Sequence, residues 1–280
     1  MTAIREVKKL YTSRPTREGA GVRLKRAVGW GDPHEFDPFL LLDDIHSEDS
    51  ADYAAGFPWH PHRGIETVTY VLDGVVEHGD SIGNQGAIRS GDVQWMTAGS
   101  GIIHQEMPQP MRGDFRGLQL WVNLPSSHKM MGPRYRGIEA AEIPACRLAD
   151  GAVVRVVAGR FGECQGPAGE LIREPVYLDV TLPAGREFRH GLPPNHTVFA
   201  YVLTGSGSMG RGGVSAENVI LLGPGEETDT RAGDGGLRFL LFSGEPLREP
   251  IAWRGPIVMN TEEELDLAFH EYRNGTFIKR

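Results

Sequence analysis

Three histidines lie in two short segments of a chain that has only ten histidines. His60 and His62 are separated by one proline in the stretch GFPWHPHRG, and His104 stands two residues before Glu106 in GIIHQE. Side chains at positions i and i+2 of an extended strand point to the same face. Each segment therefore offers two metal-binding groups on one face, and together they predict a site of three imidazoles and one carboxylate.

This ligand set suits several divalent transition metals, and the residues alone leave iron, manganese, cobalt, nickel, copper and zinc open. Four protein ligands leave up to two positions of an octahedral metal for a substrate or for dioxygen. A structural zinc without open positions is a further alternative, although such sites favour cysteine ligands. A lone histidine is usually a hydrogen-bonding surface or core residue. We keep that interpretation for His34, His46, His78, His128, His190, His196 and His270.

Short β-type runs make up most of the chain. Stretches such as ETVTYVLDG, GDVQWMTAG, PVYLDVTLP and LRFLLFSG are rich in β-branched and aromatic residues, and glycine and proline bound them. This pattern predicts an all-β sandwich or barrel. One segment near the C-terminus, NTEEELDLAFHEYRNGTF, predicts a helix with Thr261 as N-cap, Glu264 completing a capping box and Gly275 after its end.

The β pattern occurs twice. The stretch ETVTYVLDG at 66–74 resembles TVFAYVLTG at 197–205, and GLQLWVNLP at 117–125 resembles LRFLLFSGEP at 237–246. An internal duplication predicts two similar β-domains, at 1–130 and 131–280. The counterparts of His60 and His62 in the second copy are Gly191 and Pro193. We therefore expect the metal site in the N-terminal domain only.

Composition and charge narrow the class of protein. The net charge of −8 argues against broad nucleic-acid binding, and no apolar run approaches the roughly 20 residues of a membrane helix. Two cysteines predict no disulfide framework, and with no apolar N-terminal segment the expected location is the reducing cytoplasm. Residues 1–30 carry eight Lys or Arg and residues 31–52 carry eight Asp or Glu. These segments either neutralise each other or form a partner-binding surface.

A family resemblance rests on these same residues. The stretch HPHRGIETVTYVLDGVVEHGDS, the later GDVQWMTAGSGIIHQE, and the stretches DPFLLLDD and GLQLWVNLP closely resemble the pirin family of the cupin superfamily. The resemblance implies a bicupin: two jelly-roll-type β-barrels facing each other, a short C-terminal helix, and metal only in the first barrel. It maps the ligands onto His60, His62, His104 and Glu106. Glu66 occupies the usual cupin carboxylate position and is expected to play a supporting role.

The resemblance implies two functions. One is quercetin 2,3-dioxygenase-type cleavage of a flavonol by dioxygen, with Glu106 as the base. The other is a metal-dependent regulator that binds a protein partner, because the animal pirin is a nuclear iron protein and transcriptional cofactor. We expect one Fe(II) per chain, with Mn, Co, Ni, Cu or Zn as alternatives, a small aromatic substrate and a monomer. No more than half of a set of apolar residues is expected to line the substrate pocket: Phe57, Trp59, Trp95, Met96 and Ile103.

Overall fold

Strands dominate the computed structural model, which describes residues 2–169 and 171–279. Its described residues also contain one α-helix, α1 (Glu262–Arg273), and two 3₁₀ helices, Ser50–Asp52 and Ser126–His128. The strands of the first half are β1 (Val7–Thr12), β2 (Arg14–Glu18), β3 (Val22–Val28), β4 (Phe39–Ser47), β5 (Phe57–His62), β6 (Ile65–Asp73), β7 (Val75–Asp80), β8 (Gln85–Arg89), β9 (Val93–Thr97), β10 (Ile102–Pro108), β11 (Phe115–Asn123) and β12 (Arg134–Ile138). Those of the second half are β13 (Ala145–Arg147), β14 (Val153–Ala158), β15 (Arg160–Phe161), β16 (Cys164–Gln165), β17 (Val176–Leu182), β18 (Glu187–Gly191), β19 (Thr197–Met209), β20 (Gly212–Ser215), β21 (Asn218–Leu222), β22 (Glu227–Gly244), β23 (Ala252–Arg254) and β24 (Ile257–Met259). The predicted all-β fold is confirmed.

Two compact units divide the chain, and each is discontinuous in sequence. The N-terminal unit comprises Arg14–Ala140 and the residues from Leu247 onward, and the C-terminal unit comprises the residues up to Ser13 and Ala141–Pro246. The sequence predicted contiguous domains at 1–130 and 131–280, so the structure differs at both termini. The difference arises because β1 pairs with β21, whereas α1 packs against β23 and β24.

In the N-terminal unit, two sheets pack with their inner faces together. The larger sheet has the strand order β12-β9-β6-β11-β4-β3-β2, and the smaller has the order β5-β10-β7-β8. Val71 and Phe115 of the larger sheet share an apolar cluster with Val76 and Ile88 of the smaller sheet. This is the packing expected of strands with alternating inward side chains.

The C-terminal unit repeats part of the strand order of the N-terminal unit. Its main sheet places β19 between β21 and β22, just as β6 lies between β9 and β11. The two sequence segments that resemble each other are therefore equivalent strands, which supports the duplication. Apolar side chains such as Val202, Phe239 and Leu241 fill the interior of this unit.

One feature of the C-terminal unit departs from expectation. Cys146 and Cys164 form a disulfide, with Cα atoms 6.5 Å apart. The sequence predicted none, because a lone pair of cysteines 18 residues apart has no recognisable framework. Their strands meet because β13 pairs with β14, and β14 leads directly into the β15–β16 hairpin.

The predicted helix is confirmed together with its cap. The Thr261 side chain accepts from the backbone N–H of Glu264, and the Glu264 side chain accepts from the backbone N–H of Thr261. Leu265 and Ala268 are the buried residues of the helix. In the part of the chain that the structure describes, no helix has the length and apolar character needed to cross a bilayer.

The basic and acidic segments near the N-terminus neutralise each other in part. Strands β3 and β4 are neighbours, and Arg26 forms a bidentate ion pair with Asp43 between them. Arg23 lies 2.9 Å from Asp52. The interpretation of these segments as mutually neutralising surfaces holds for these two pairs.

Candidate metal centre

The three predicted histidines meet inside the N-terminal unit. Strand β5 pairs with β10 and places His60 opposite His104. The Nε2 atom of His60 lies 3.0 Å from Nε2 of His62 and 3.0 Å from Nε2 of His104. The ligand atoms of all three lie within 4.8 Å of one another. His62 and His104 are almost fully buried.

Backbone carbonyls fix the orientation of two of these rings. Nδ1 of His60 donates to the carbonyl of Pro58 at 2.9 Å, and Nδ1 of His62 donates to the carbonyl of Pro256 at 3.0 Å. A carbonyl only accepts, so Nδ1 must carry the hydrogen and Nε2 presents its lone pair to the common point. This is the arrangement that orients histidine ligands in metal sites.

The protonation state of the cluster also fits a metal ion. Burial lowers the pKa of His60, and burial together with the neighbouring imidazoles lowers the pKa of His62 and His104 well below the usual value. The neutral imidazole is the form that binds metals. The Nε2 lone pairs of His60 and His62 repel each other at 3.0 Å, and a divalent cation between them would remove that repulsion.

Glu106 lies beside this cluster but does not join it. Its carboxylate lines the same cavity as His60 and His62, whereas the group of converging ligand atoms contains the histidines alone. Oε1 of Glu106 lies 2.6 Å from Oγ1 of Thr69, and Oε2 accepts from Nε2 of Gln119 at 3.3 Å. Burial raises the pKa of Glu106 to about 7.

Glu106, Thr69 and Gln119 form a closed hydrogen-bonded ring. Oγ1 of Thr69 is also 2.6 Å from Oε1 of Gln119. A hydroxyl has one proton, so both short contacts of Thr69 are satisfied when protonated Glu106 donates to Thr69 and Thr69 donates to Gln119. The ring therefore provides a place for one proton on Glu106, next to the histidines.

Glu66 lies on the opposite face of strand β6 from Thr69, away from the histidine cluster. It is fully buried, and Oε1 accepts from the Thr97 hydroxyl at 2.7 Å. Burial raises the pKa of Glu66 to about 7. This placement agrees with a supporting role rather than a ligand role.

A cavity of about 840 Å³ opens beside the histidines, a size typical of small-molecule sites. Of the five apolar residues expected to line it, Phe57 does so, whereas Trp59 is half exposed at the surface. Trp121 and Trp253 are cavity-lining residues that the sequence did not indicate. Trp253 comes from the C-terminal segment, so only the folded chain places it there.

Other polar residues of the site were also missed. Gln119 interrupts the apolar stretch GLQLWVNLP, and Asp43 follows the apolar run of DPFLLLDD. A polar residue within a strand that is otherwise buried could have indicated these two residues as part of the site. His78, which we expected to lie outside the site, packs with its ring centroid 5.5 Å from that of His104. It contacts Asp80 and Gln94 and is not among the converging ligands.

Known families account for most of the chain. Residues 21–122 match the Pirin family, and residues 177–278 match the Pirin C-terminal cupin domain. The chain belongs to the pirin family. Each of the two units is therefore a cupin, and the predicted bicupin fold is confirmed.

Similar proteins carry two kinds of name. A Pseudomonas aeruginosa protein that is 45% identical over 98% of this chain and 99% of its own carries the provisional name quercetin 2,3-dioxygenase. A Caulobacter vibrioides pirin-like protein is 41% identical over 98% of this chain and 99% of its own. The crystal structure of a quercetin 2,3-dioxygenase from Acinetobacter baumannii superposes with a TM-score of 0.90, at 34% identity over 98% of this chain and 99% of that one.

Proposed function

We propose that this pirin is a metal-dependent oxidoreductase that cleaves a flavonol with dioxygen, as a quercetin 2,3-dioxygenase does. The observation that carries the proposal is the convergence of three imidazoles, two buried and one partly buried, beside a large, mainly apolar cavity that His60 and His62 line. The names of similar proteins support the same reaction class.

In this proposal His60, His62, His104 and Glu106 hold one divalent metal, with Fe(II) as the expected ion and Mn, Co, Ni, Cu or Zn as alternatives. When bound, the ion would supply Lewis acidity and a template for the reactants. The carbonyls of Pro58 and Pro256 accept hydrogen bonds from Nδ1 of His60 and His62 and so fix the orientation of these rings.

Glu106 is the proposed general base. It lines the cavity, and its pKa of about 7 suits proton transfer near neutral pH. In the hydrogen-bonded ring, Thr69 and Gln119 stabilise the carboxyl group after it accepts the proton of a substrate hydroxyl. Glu106 would thus serve both as the base and as one of the residues that hold the metal.

The walls of the cavity suit a flat aromatic substrate. Phe57, Phe115, Trp121 and Trp253 provide large aromatic surfaces, and the interior contacts are mainly apolar. Aromatic side chains pack on planar ligands with offset-stacked or edge-on geometry. A small aromatic compound or flavonol is therefore the proposed substrate. We further propose that the protein is a monomer and acts in the cytoplasm.

Oxygen uptake tests the proposal. Metal-free protein is loaded with Fe(II) without oxygen, and quercetin and oxygen are then added. We expect one dioxygen consumed per quercetin, loss of uptake in His104→Ala, and normal uptake in His190→Ala, which changes a histidine of the C-terminal unit. No uptake by protein that demonstrably contains iron would contradict the proposal.

A second candidate function is binding of an acidic protein partner. Strand β2 is an edge strand, and its register with β3 places Arg17 directly opposite Arg23. Asp52 already neutralises Arg23, so the exposed Arg17 is the charge of this pair that an acidic partner would contact. Charge reversal at Arg17 would weaken such a complex and leave oxygen uptake unchanged.

A further inference from the structure

A row of polar side chains crosses the inner face of the larger sheet in the N-terminal unit. Arg26 is opposite Asp43, Asp43 is opposite Gln119, and Gln119 is opposite Thr69. Residues directly opposite each other on neighbouring strands share a face. Four consecutive strands therefore contribute one polar residue each at the same level.

The rows on either side of this one are largely apolar. On one side, Ile45 is opposite Gly117, and Gly117 is opposite Val71. On the other side, Leu41 is opposite Trp121. Polar groups buried among apolar ones are unfavourable unless they are hydrogen-bonded. The four side chains of the polar row therefore need hydrogen-bond partners, either one another or a ligand in the cavity.

One end of the row is occupied by Glu106, which Thr69 and Gln119 hold as described above. The other end is an ion pair that faces the cavity. Asp43 accepts from Nε and Nη2 of Arg26 at 2.8 Å each, and Arg26 also lies 2.8 Å from Glu18. Only 8% of the Asp43 side chain and 16% of the Arg26 side chain are exposed.

Asp43 has acceptor capacity beyond Arg26. Each carboxylate oxygen has two lone-pair sites, and Arg26 uses one on each oxygen. A carboxylate only accepts, so a further partner in the cavity must be a donor. Arg26 also fixes the carboxylate in place, and a hydrogen bond to a charged acceptor is stronger than a neutral one.

The cavity is therefore lined by two polar clusters as well as by aromatic side chains. His60, His62 and Glu106 line it from β5 and β10, and Arg26 and Asp43 line it from β3 and β4. A ligand that contacts both clusters needs a metal-binding group for one and a hydroxyl for the other. A planar polyphenol has both.

We propose that Asp43, held by Arg26, is a specificity-determining residue that accepts a hydrogen bond from a substrate hydroxyl remote from the metal-binding group. This inference rests on the proposed function and names its substrate class as polyhydroxylated flavonols. A site that hydrogen-bonds a substrate hydroxyl discriminates strongly against an analogue that lacks it.

Binding without turnover tests the role of Asp43. The dissociation constants of quercetin and 3-hydroxyflavone are measured by calorimetry with metal-loaded protein in the absence of oxygen. 3-Hydroxyflavone keeps the hydroxyl and carbonyl that bind the metal and lacks the other hydroxyls. We expect the wild-type protein to prefer quercetin, and Asp43→Asn to reduce that preference about tenfold.

Asp44→Asn is the matched control. Asp44 is the next residue of β4, faces the opposite side and forms an equivalent buried pair with Arg116, at 3.1 and 2.6 Å. It should leave the preference unchanged. If Asp43→Asn does not fold, Asp43→Glu keeps the charge, displaces the carboxylate and should also reduce the preference.

Three results would overturn the inference. They are an unchanged preference in both Asp43 variants, equal binding of the two flavonols by the wild-type protein, and binding of neither. Equal binding together with oxygen uptake on quercetin would remove the Asp43 role alone. Binding of neither flavonol would remove the proposed function as well.

Discussion

At the scale of single residues, the candidate site depends on the groups that hold its proposed ligands as well as on the ligands themselves. Glu106 is held by Thr69 and Gln119, and His62 is held by the carbonyl of Pro256. Partners of this kind fix the orientation of a ligand, and their loss typically costs 10- to 100-fold in metal affinity or activity.

Replacing Thr69 with valine tests this dependence. Thr69→Val keeps the shape and removes the hydroxyl that contacts Glu106, so we expect metal affinity to fall about tenfold, as measured by calorimetry with Co(II). Thr67→Val is the control, because Thr67 lies on the same face of β6 and its buried hydroxyl has no hydrogen-bond partner among the described residues. Equal affinities for the two variants would contradict the role of Thr69.

Glu66 makes stability depend on pH. Burial raises its pKa from the ordinary glutamate value of about 4.5 to about 7, so the folded state binds more protons than the unfolded state between these values. Stability should therefore fall as pH rises through this window.

We expect Glu66→Gln to gain about 2 kcal/mol of unfolding free energy relative to wild type between pH 4.5 and pH 8, measured by urea denaturation. Glu77→Gln, at an exposed strand position, should show no such change. A pH-independent difference for Glu66→Gln would refute the assignment.

At the scale of elements, the C-terminal hairpin contributes to the candidate metal centre. The β23–β24 turn supplies the Pro256 carbonyl to His62, and Trp253 lines the cavity. Gly64, two residues after His62, has a φ of +77° and approaches Val258 so closely that an added Cβ would overlap the Val258 carbonyl. The segment after β5 and strand β24 are thus in backbone contact.

Gly64→Ala should therefore disrupt the metal centre. We expect a large loss of metal affinity and a lower melting temperature, measured by calorimetry and by circular dichroism. Gly83→Ala controls for backbone strain, because Gly83 also has a positive φ, of +97°, but nothing within 4 Å of an added Cβ. If both variants lose the same stability and neither loses metal affinity, the contact with Val258 is unimportant.

Prediction from sequence succeeded where neighbours in the chain decide the outcome. Strand alternation predicted that His60 and His62 lie on the same face of one strand, and the capping box predicted the start of α1. Contacts distant in sequence had no such signal. The ring around Glu106 joins β6, β10 and β11, and the Pro256 carbonyl reaches His62 from 194 residues away.

At the scale of the whole molecule, the two ends of the chain are exchanged between the units. Strand β1 belongs to the C-terminal unit, and the residues from Leu247 onward belong to the N-terminal unit. The duplicated strands could be predicted because their sequences resemble each other. The exchange of the termini could not be predicted from the sequence. Strand β1 pairs with β21 through backbone hydrogen bonds, which form with almost any side chains.

Arg5 ties the N-terminal segment into the C-terminal unit. It is 1% exposed and donates to the carbonyls of Pro193 at 2.6 Å and Gly223 at 2.9 Å. We expect Arg5→Met to lower the unfolding free energy by about 2–4 kcal/mol in urea titrations, with one metal still bound per chain. The control is Arg211→Met, since Arg211 is 92% exposed, and it should change stability by less than about 0.5 kcal/mol.

We propose that His60, His62, His104 and Glu106 together hold one metal ion. The most direct measurement is an anomalous difference map from crystals of the Fe(II)-loaded protein, recorded at the iron edge. We expect a single peak per chain between the three Nε2 atoms, with a carboxylate oxygen of Glu106 in contact. A peak elsewhere, or none at the histidines in protein that contains iron, would contradict it.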